Sequence, residues 1–192
     1  MRKLKLADIT DLRAYERERD DFRRDIIAMK KIRRIAVGDL MTLVFENTET
    51  MRFQIQEMAR VERLMLDDAI EHEVATYNDL IPEDGELSAT MFIEITDNDA
   101  LREWLPRLVG IEDHISIVVG EATSPAVEQD AERLTRDDIT STVHYLKFAF
   151  TAAQRGMFAS GPVRIVVDHP QYAAQVMLDD AQRAALAGDF DA

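Results

Sequence analysis

The chain has 192 residues, 46% of them apolar, with 23 basic and 37 acidic residues and a net charge of −14, so we predict a single domain over residues 1–192 with a sizeable core. The acidic balance repels nucleic acid and anionic membranes at long range, so neither is an expected partner. The absence of cysteine excludes disulfides and thiolate nucleophiles. The chain also lacks an apolar run of the roughly 20 residues that a membrane span needs and the apolar segment of a secretory signal, so we expect a cytoplasmic protein.

Helical periodicity dominates the first part of the chain. Residues 8–32 place apolar side chains at the spacing of one helical face, which predicts a long helix. Residues 33–46 predict a two-stranded hairpin with a tight turn at Gly38. Helix signals then cover residues 48–80, and the apolar stripe rotates near residues 66–68, which predicts a kink or a second helix there.

Strand patterns are more frequent in the rest of the chain. A short or kinked helix with an internal proline is predicted at residues 97–108, a polar loop at 121–141, and a last helix from Pro170 to about Gly188. Alternating or continuous apolar runs predict strands at residues 87–95, 114–120, 143–150 and 163–168. These elements predict an α+β fold with a single, largely antiparallel sheet of about six strands packed against long helices.

The stretch FENTETMRFQIQEMARVE, residues 45–62, contains a carboxylate in an unusual position. On a helix, Glu62 falls in the middle of an otherwise apolar stripe, and Glu73 of the next segment lies beside Tyr77 on the apolar side. A buried carboxylate is costly unless it is paired. We predict that Glu62 is mostly buried and ion-paired, with Arg19 of the first helix as the preferred partner and a metal as the second.

Two other interpretations of this region stay open. In one, Glu62 and Glu73 line a ligand cavity or bind a metal, because paired carboxylates suit hard cations or acid–base chemistry. Three nearby side chains would then supply hydrogen bonds to the ligand, those of Gln54, Tyr77 and Asn78. In the other, the region is a subunit interface of a homo-oligomer. The sequence does not identify the metal, ligand or cofactor.

The dense basic segment KKIRR supports a weaker hypothesis. Its charged residues, Lys30, Lys31, Arg33 and Arg34, form a candidate patch for phosphate or another anion, or they simply complement the dipole at the end of the first helix. No nucleotide-binding or hydrolase motif is present, and the four histidines do not share metal-ligand spacing. Whether the protein is an enzyme is therefore left open.

Three segments carry a resemblance to a known family. FENTETMRFQIQEMARVE, YNDLIPEDGELSATMFIEI and VDHPQY resemble a bacterial family of about this length that is described as a domain of unknown function. Its members are often encoded beside rubrerythrin-like proteins and iron–sulfur oxidoreductases of the heterodisulfide-reductase type. The resemblance implies a non-catalytic partner or accessory factor of a redox or peroxide-defence system. The alternative is a metal- or small-molecule-binding enzyme that uses a carboxylate site around Glu62 and Glu73.

Overall fold

The computed structural model describes residues 1–129 and 138–191. Six α-helices lie within these residues: α1 Leu12–Arg33, α2 Thr48–Glu62, α3 Asp67–Asn78, α4 Asn98–Arg107, α5 Ala152–Phe158 and α6 Asp180–Ala187. The described strands are β1 Arg34–Val37, β2 Met41–Glu46, β3 Glu86–Ile93, β4 Ile115–Val119, β5 Ala122–Glu128, β6 Val143–Ala149, β7 Val163–His169 and β8 Tyr172–Met177. In this part of the chain, no helix is long and apolar enough to cross a membrane.

The eight strands form one antiparallel sheet in the order β1-β2-β3-β6-β5-β4-β7-β8. The predicted α+β class and antiparallel sheet are confirmed, but the sheet has eight strands where about six were expected. It curls until it is nearly closed, and β8 approaches β1. At this junction the Tyr172 hydroxyl donates to the Val37 carbonyl at 2.9 Å and accepts from the Asp39 N–H at 3.0 Å.

The elements with strong periodicity agree with the prediction. The hairpin forms, with Gly38 in its turn at a φ of +71°, a conformation that glycine adopts without strain. The long helical segment divides into α2 and α3, because Arg63 takes a left-handed conformation that ends α2. The first helix begins later than predicted, since Asp11 accepts the free N–H groups of its first turn.

Two secondary-structure predictions are wrong. Strand β5 lies in the predicted loop 121–141, of which residues 130–137 lie outside the described part of the chain. Strand β8 occupies the first part of the predicted last helix, and α6 forms only the end of it. Both strands are held by pairing: β5 lies between β4 and β6, and β8 pairs along its whole length with β7. Hydrogen bonding to neighbouring strands therefore outweighs the weak local preference of these segments for a loop or a helix.

Two apolar clusters stabilise the fold. The larger one fills the concave side of the sheet and includes Phe45, Phe148 and Phe158. The smaller one joins the N-terminal segment to α2 and α3 through Met51, Ile55 and other buried side chains. Every residue of β2 is buried, and α1 packs against this strand as part of a layer that it forms with α2 and α3. The site described below lies between that layer and the sheet.

Candidate functional site

The Glu62 prediction is wrong in both burial and partner. Glu62 is exposed in the last turn of α2, and no ion pair to it occurs among the described residues. Arg19 instead binds Glu57, with Nε to Oε1 at 2.8 Å and Nη2 to Oε2 at 2.7 Å. The hydroxyl of Tyr15 also donates to Oε1 of Glu57, at 2.8 Å. In the last turn of α2 even Val61 is 69% exposed, so no neighbouring element covers this end of the apolar stripe, although Met51 and Ile55 at its start are buried.

The electrostatics of the Glu57 cluster follow from these contacts. The hydrogen bond from Arg19 lowers the pKa of the Glu57 carboxyl, burial partly opposes this, and the Tyr15 hydroxyl lowers it further. Burial, followed by the contact with Glu57, raises the pKa of Tyr15. Arg19, which was expected to pair with Glu62, therefore has its partner on α2 at Glu57, earlier in the same helix.

The other candidate residues divide into three groups. The Asn78 side chain is used structurally, because it accepts from the Leu4 N–H at 2.8 Å and donates to the Leu4 carbonyl at 3.0 Å. Glu62 and Glu73 border one open surface depression together with His72. Within the described ranges, no group of three histidine, aspartate or glutamate side chains could hold a metal ion. Gln54 and Tyr77 line a cleft beneath the helices.

The predicted anion patch is dispersed in the structure. Arg33 is buried and donates to the Phe45 carbonyl at 2.9 Å and to both carboxylate oxygens of Asp189. Arg34 pairs with Glu94 at the edge of the sheet. Lys30 points toward the cleft, and Lys31 is exposed to solvent. These four residues therefore do not present a common basic surface.

The cleft lies between the α1–α3 layer and the convex face of the sheet and has a volume of about 290 Å³. Alternation along the strands determines its floor. Thr90 of β3 pairs with Tyr145 of β6 and with Val44 of β2, and side chains two residues apart share a face, so Glu46 lies on the same side. The helices add polar groups from Lys30, Gln54 and Tyr77, and four apolar side chains complete the walls: Met51, Leu80, Phe92 and Val143.

Glu46 is the most unusual residue in this cleft. It is only 4% exposed, and its Oε1 accepts a hydrogen bond of 3.1 Å from the Thr90 hydroxyl. Its Oε2 lies 3.5 Å from Nζ of Lys30 but has no hydrogen-bond partner. Sequence reasoning missed this residue because a glutamate that ends a strand and precedes a helix cap is ordinary. The available signal was alternation along the strand, which puts Glu46 on the same face as Val44 and Thr42 in a segment where every residue is buried.

Tyr77 shows how the cleft connects to the helices above it. Burial raises the pKa of its hydroxyl, the Gln54 side chain opposes this shift, and the Glu73 carboxylate adds to it. Gln54 and Tyr77 therefore line the same cleft, whereas Glu73 borders the surface depression beside Glu62. The sequence pattern proposed Glu62 as the carboxylate of the candidate site, whereas the buried carboxylate that lines the cleft is Glu46 of β2.

The connection between α2 and α3 forms a second distinctive surface, which we call the apolar corner. It consists of Val61, Met65 and Leu66, whose exposed fractions are 69%, 77% and 67%. Carboxylates border the two depressions around it: Asp11, Glu62, Asp67, Asp68 and Glu73. Basic side chains nearby are those of Arg13 and Arg63. Exposed apolar groups with a polar rim are typical of protein-binding surfaces.

A buried histidine lies on the concave side of the sheet. His144 is fully buried; its Nδ1 lies 2.8 Å from Oε2 of Glu128, and its Nε2 lies 3.0 Å from the Thr140 hydroxyl. The Glu128 carboxylate also accepts from the Tyr145 N–H at 3.0 Å. These bonds satisfy both ring nitrogens and tie β5 to β6. Sequence reasoning missed this cluster because it assigned Glu128 to a loop.

The chain is similar to proteins of unknown function. A model of the family described as "Protein of unknown function (DUF3501)" matches residues 3–190. A crystal structure of a "novel protein of unknown function" from Burkholderia pseudomallei has 35% sequence identity and a TM-score of 0.91, covering 99% of this chain and 100% of that chain. No curated protein matches the chain. These matches agree with the fold and name no ligand, partner or reaction.

Proposed function

The chain belongs to the DUF3501 family of proteins of unknown function, and we propose that it is a non-catalytic partner or accessory factor of a redox or peroxide-defence system. The partner in this proposal is an iron–sulfur oxidoreductase or a rubrerythrin-like protein. The redox part is supported by the resemblance described above, whose relatives are often encoded beside such proteins. The proposal includes the cytoplasmic location expected from the sequence.

The observation that carries the docking role is the apolar corner. Met65 and Leu66 are each more than two-thirds exposed, although large apolar side chains are normally withdrawn from water. Burying such side chains contributes roughly 1.5–3 kcal/mol each. The left-handed residue Arg63 reverses the chain immediately before them, so that they project from the end of the helical layer. A flat partner surface can therefore reach them without a change in the fold.

The charge around the corner specifies the chemistry of the partner. Five carboxylates border the corner, against the two arginines Arg13 and Arg63, and the whole chain has a net charge of −14. A partner that presents an apolar patch ringed by lysine and arginine would be complementary, and its association would be accelerated at low salt. Because this chain has no cysteine, any thiol, disulfide or cysteine-bound cluster in the complex would belong to the partner.

The test uses purified proteins. The full chain is titrated with an iron–sulfur oxidoreductase of the type encoded beside its relatives and, separately, with a rubrerythrin-like protein. Binding is measured by calorimetry at two salt concentrations. We expect binding to one of them, weakened by salt and weakened at least about tenfold in the variant M65D/L66D. The matched control is M177D, because Met177 is an exposed methionine on β8.

Three outcomes would contradict the proposal. The first is an absence of binding to both proteins, and the second is binding that M65D/L66D leaves unchanged. The third is self-association: light scattering after size-exclusion chromatography that shows a dimer dissociated by M65D/L66D would assign the corner to a second copy of this chain.

A further inference from the structure

We propose that the cleft beneath α1–α3 binds a small zwitterion of the α-amino-acid class that carries an apolar or aromatic side chain. This inference goes beyond the proposed partner role and uses other residues. It rests on the opposite charges of Glu46 and Lys30, which line one cavity together with four apolar side chains.

The carboxylate of Glu46 provides the position for the ligand's ammonium group. Its Oε2 is buried and accepts no hydrogen bond, although Oε1 is bound by Thr90. A buried acceptor without a donor is unfavourable, and a donor from a charged group recovers more free energy than a neutral one. The Nζ of Lys30, at 3.5 Å, supplies charge but no hydrogen bond. An ammonium group has the donors that this oxygen lacks.

Lys30 provides the position for the ligand's carboxylate. Its side chain is 32% exposed and therefore lies at the edge of the cavity, where its ammonium group keeps donors for a second anion. The ammonium and carboxylate of an α-amino acid are separated by a single carbon. This short separation matches the charges of Glu46 and Lys30, whose Oε2 and Nζ atoms are 3.5 Å apart. A ligand with only one charge would leave either Glu46 or Lys30 without its additional partner.

The remaining wall restricts the size and polarity of the ligand. The volume of about 290 Å³ lies just below the range of roughly 300–1,000 Å³ that holds drug-sized molecules. Met51, Leu80 and Phe92 form an apolar surface for an aliphatic or aromatic side chain. Tyr145 and Gln54 also line the space. A single amino acid therefore fits the cleft better than a nucleotide or a longer peptide.

The ligand class is tested by calorimetry on the full chain. The probes are L-phenylalanine, L-leucine, phenethylamine, which lacks the carboxylate, and 3-phenylpropionate, which lacks the ammonium group. We expect saturable binding of at least one amino acid with a Kd at or below about 1 mM, and binding at least about tenfold weaker for both single-charge probes. Failure of both amino acids to bind, or equal binding of either single-charge probe, would overturn the proposal.

Two variants place the site in the cleft. E46Q keeps the shape of the side chain and removes its charge, and K30M removes the cation at the more exposed edge. Each should weaken amino-acid binding at least about tenfold. The matched controls E49Q and K31M change neighbouring charges that do not line the cleft, and they should bind like the wild type. Melting curves identify any variant that does not fold. Unchanged binding in a folded K30M or E46Q variant would refute the assignment.

Discussion

Replacing Glu57 by glutamine should destabilise the protein, whereas the same change at Glu62 should have almost no effect. Glu57 joins α2 to α1 through two hydrogen bonds from Arg19 and one from Tyr15. In E57Q the side chain keeps its shape, but it loses its charge and presents an amide NH2 group toward the guanidinium. Glu62 is exposed and forms no ion pair within the described residues.

The size of the effect follows from the contacts and their exposure. A hydrogen bond to a charged group contributes about 1.5–3 kcal/mol, and an ion pair in full contact with water contributes about 1 kcal/mol or less. The side chains of Arg19 and Glu57 are each 22% exposed, so their contribution should lie between that of a hydrogen bond to a charged group and that of a fully exposed ion pair. We therefore expect a loss of about 2 kcal/mol in the free energy of unfolding. For a domain of this size that corresponds to a decrease in Tm of about 4–8 °C.

The effect should also depend on pH in a defined direction. Arg19 lowers the pKa of Glu57 in the folded state, so the folded protein holds the charged form more strongly than the unfolded chain does. The stabilisation is therefore complete above about pH 5 and is lost as the pH falls through about 4 and below. The difference in stability between wild type and E57Q should shrink in that window.

Urea denaturation at pH 7 and at about pH 3.5 measures the loss of stability in E57Q and its dependence on pH. E62Q is the matched control. At pH 7 the E57Q midpoint should decrease, and the E62Q midpoint should equal that of the wild type. Equal stability of E57Q and wild type at pH 7 would refute the Arg19–Glu57 pair. A large decrease in the E62Q midpoint would show that the last turn of α2 is covered in solution.

Two further stability predictions concern the closure of the fold. D189A should lower the free energy of unfolding by about 3–5 kcal/mol, because it leaves the buried Arg33 guanidinium without its counter-charge. Urea denaturation measures this loss, and the double variant R33M/D189L should recover part of it. A D189A midpoint equal to that of the wild type would contradict the Arg33–Asp189 pair. G38A should lower the Tm more than G85A does. Both glycines have a positive φ, but a Cβ at Gly38 would also collide with the Tyr172 hydroxyl, whereas the nearest atom at Gly85 is 3.5 Å away; equal melting curves would contradict the Tyr172 contact.

The sequence by itself determined the elements whose side chains repeat with a clear period. The hairpin at Gly38, the long helix α1 and the division between α2 and α3 all follow from local patterns of apolar residues and turn chemistry. Strand β5 has no such pattern, because its segment ATSPAVE is polar and contains Pro125. Strand β8 was predicted as a helix because its two adjacent alanines and the preceding Pro170 favour a helix locally.

For the site, the sequence identified the correct residue types but not their partners. An ion pair between Arg19 of α1 and a carboxylate of α2 was expected, and the structure has one with Glu57 in place of Glu62. Gln54 and Tyr77 line one cavity. Helical phase favoured Glu62, which lies on the apolar stripe, over Glu57, because only the packed structure shows where α1 covers α2. Glu46 became a candidate only when the curled sheet and three helices enclosed it. Burial depends on elements that are distant in sequence, and local periodicity contains no information about their arrangement.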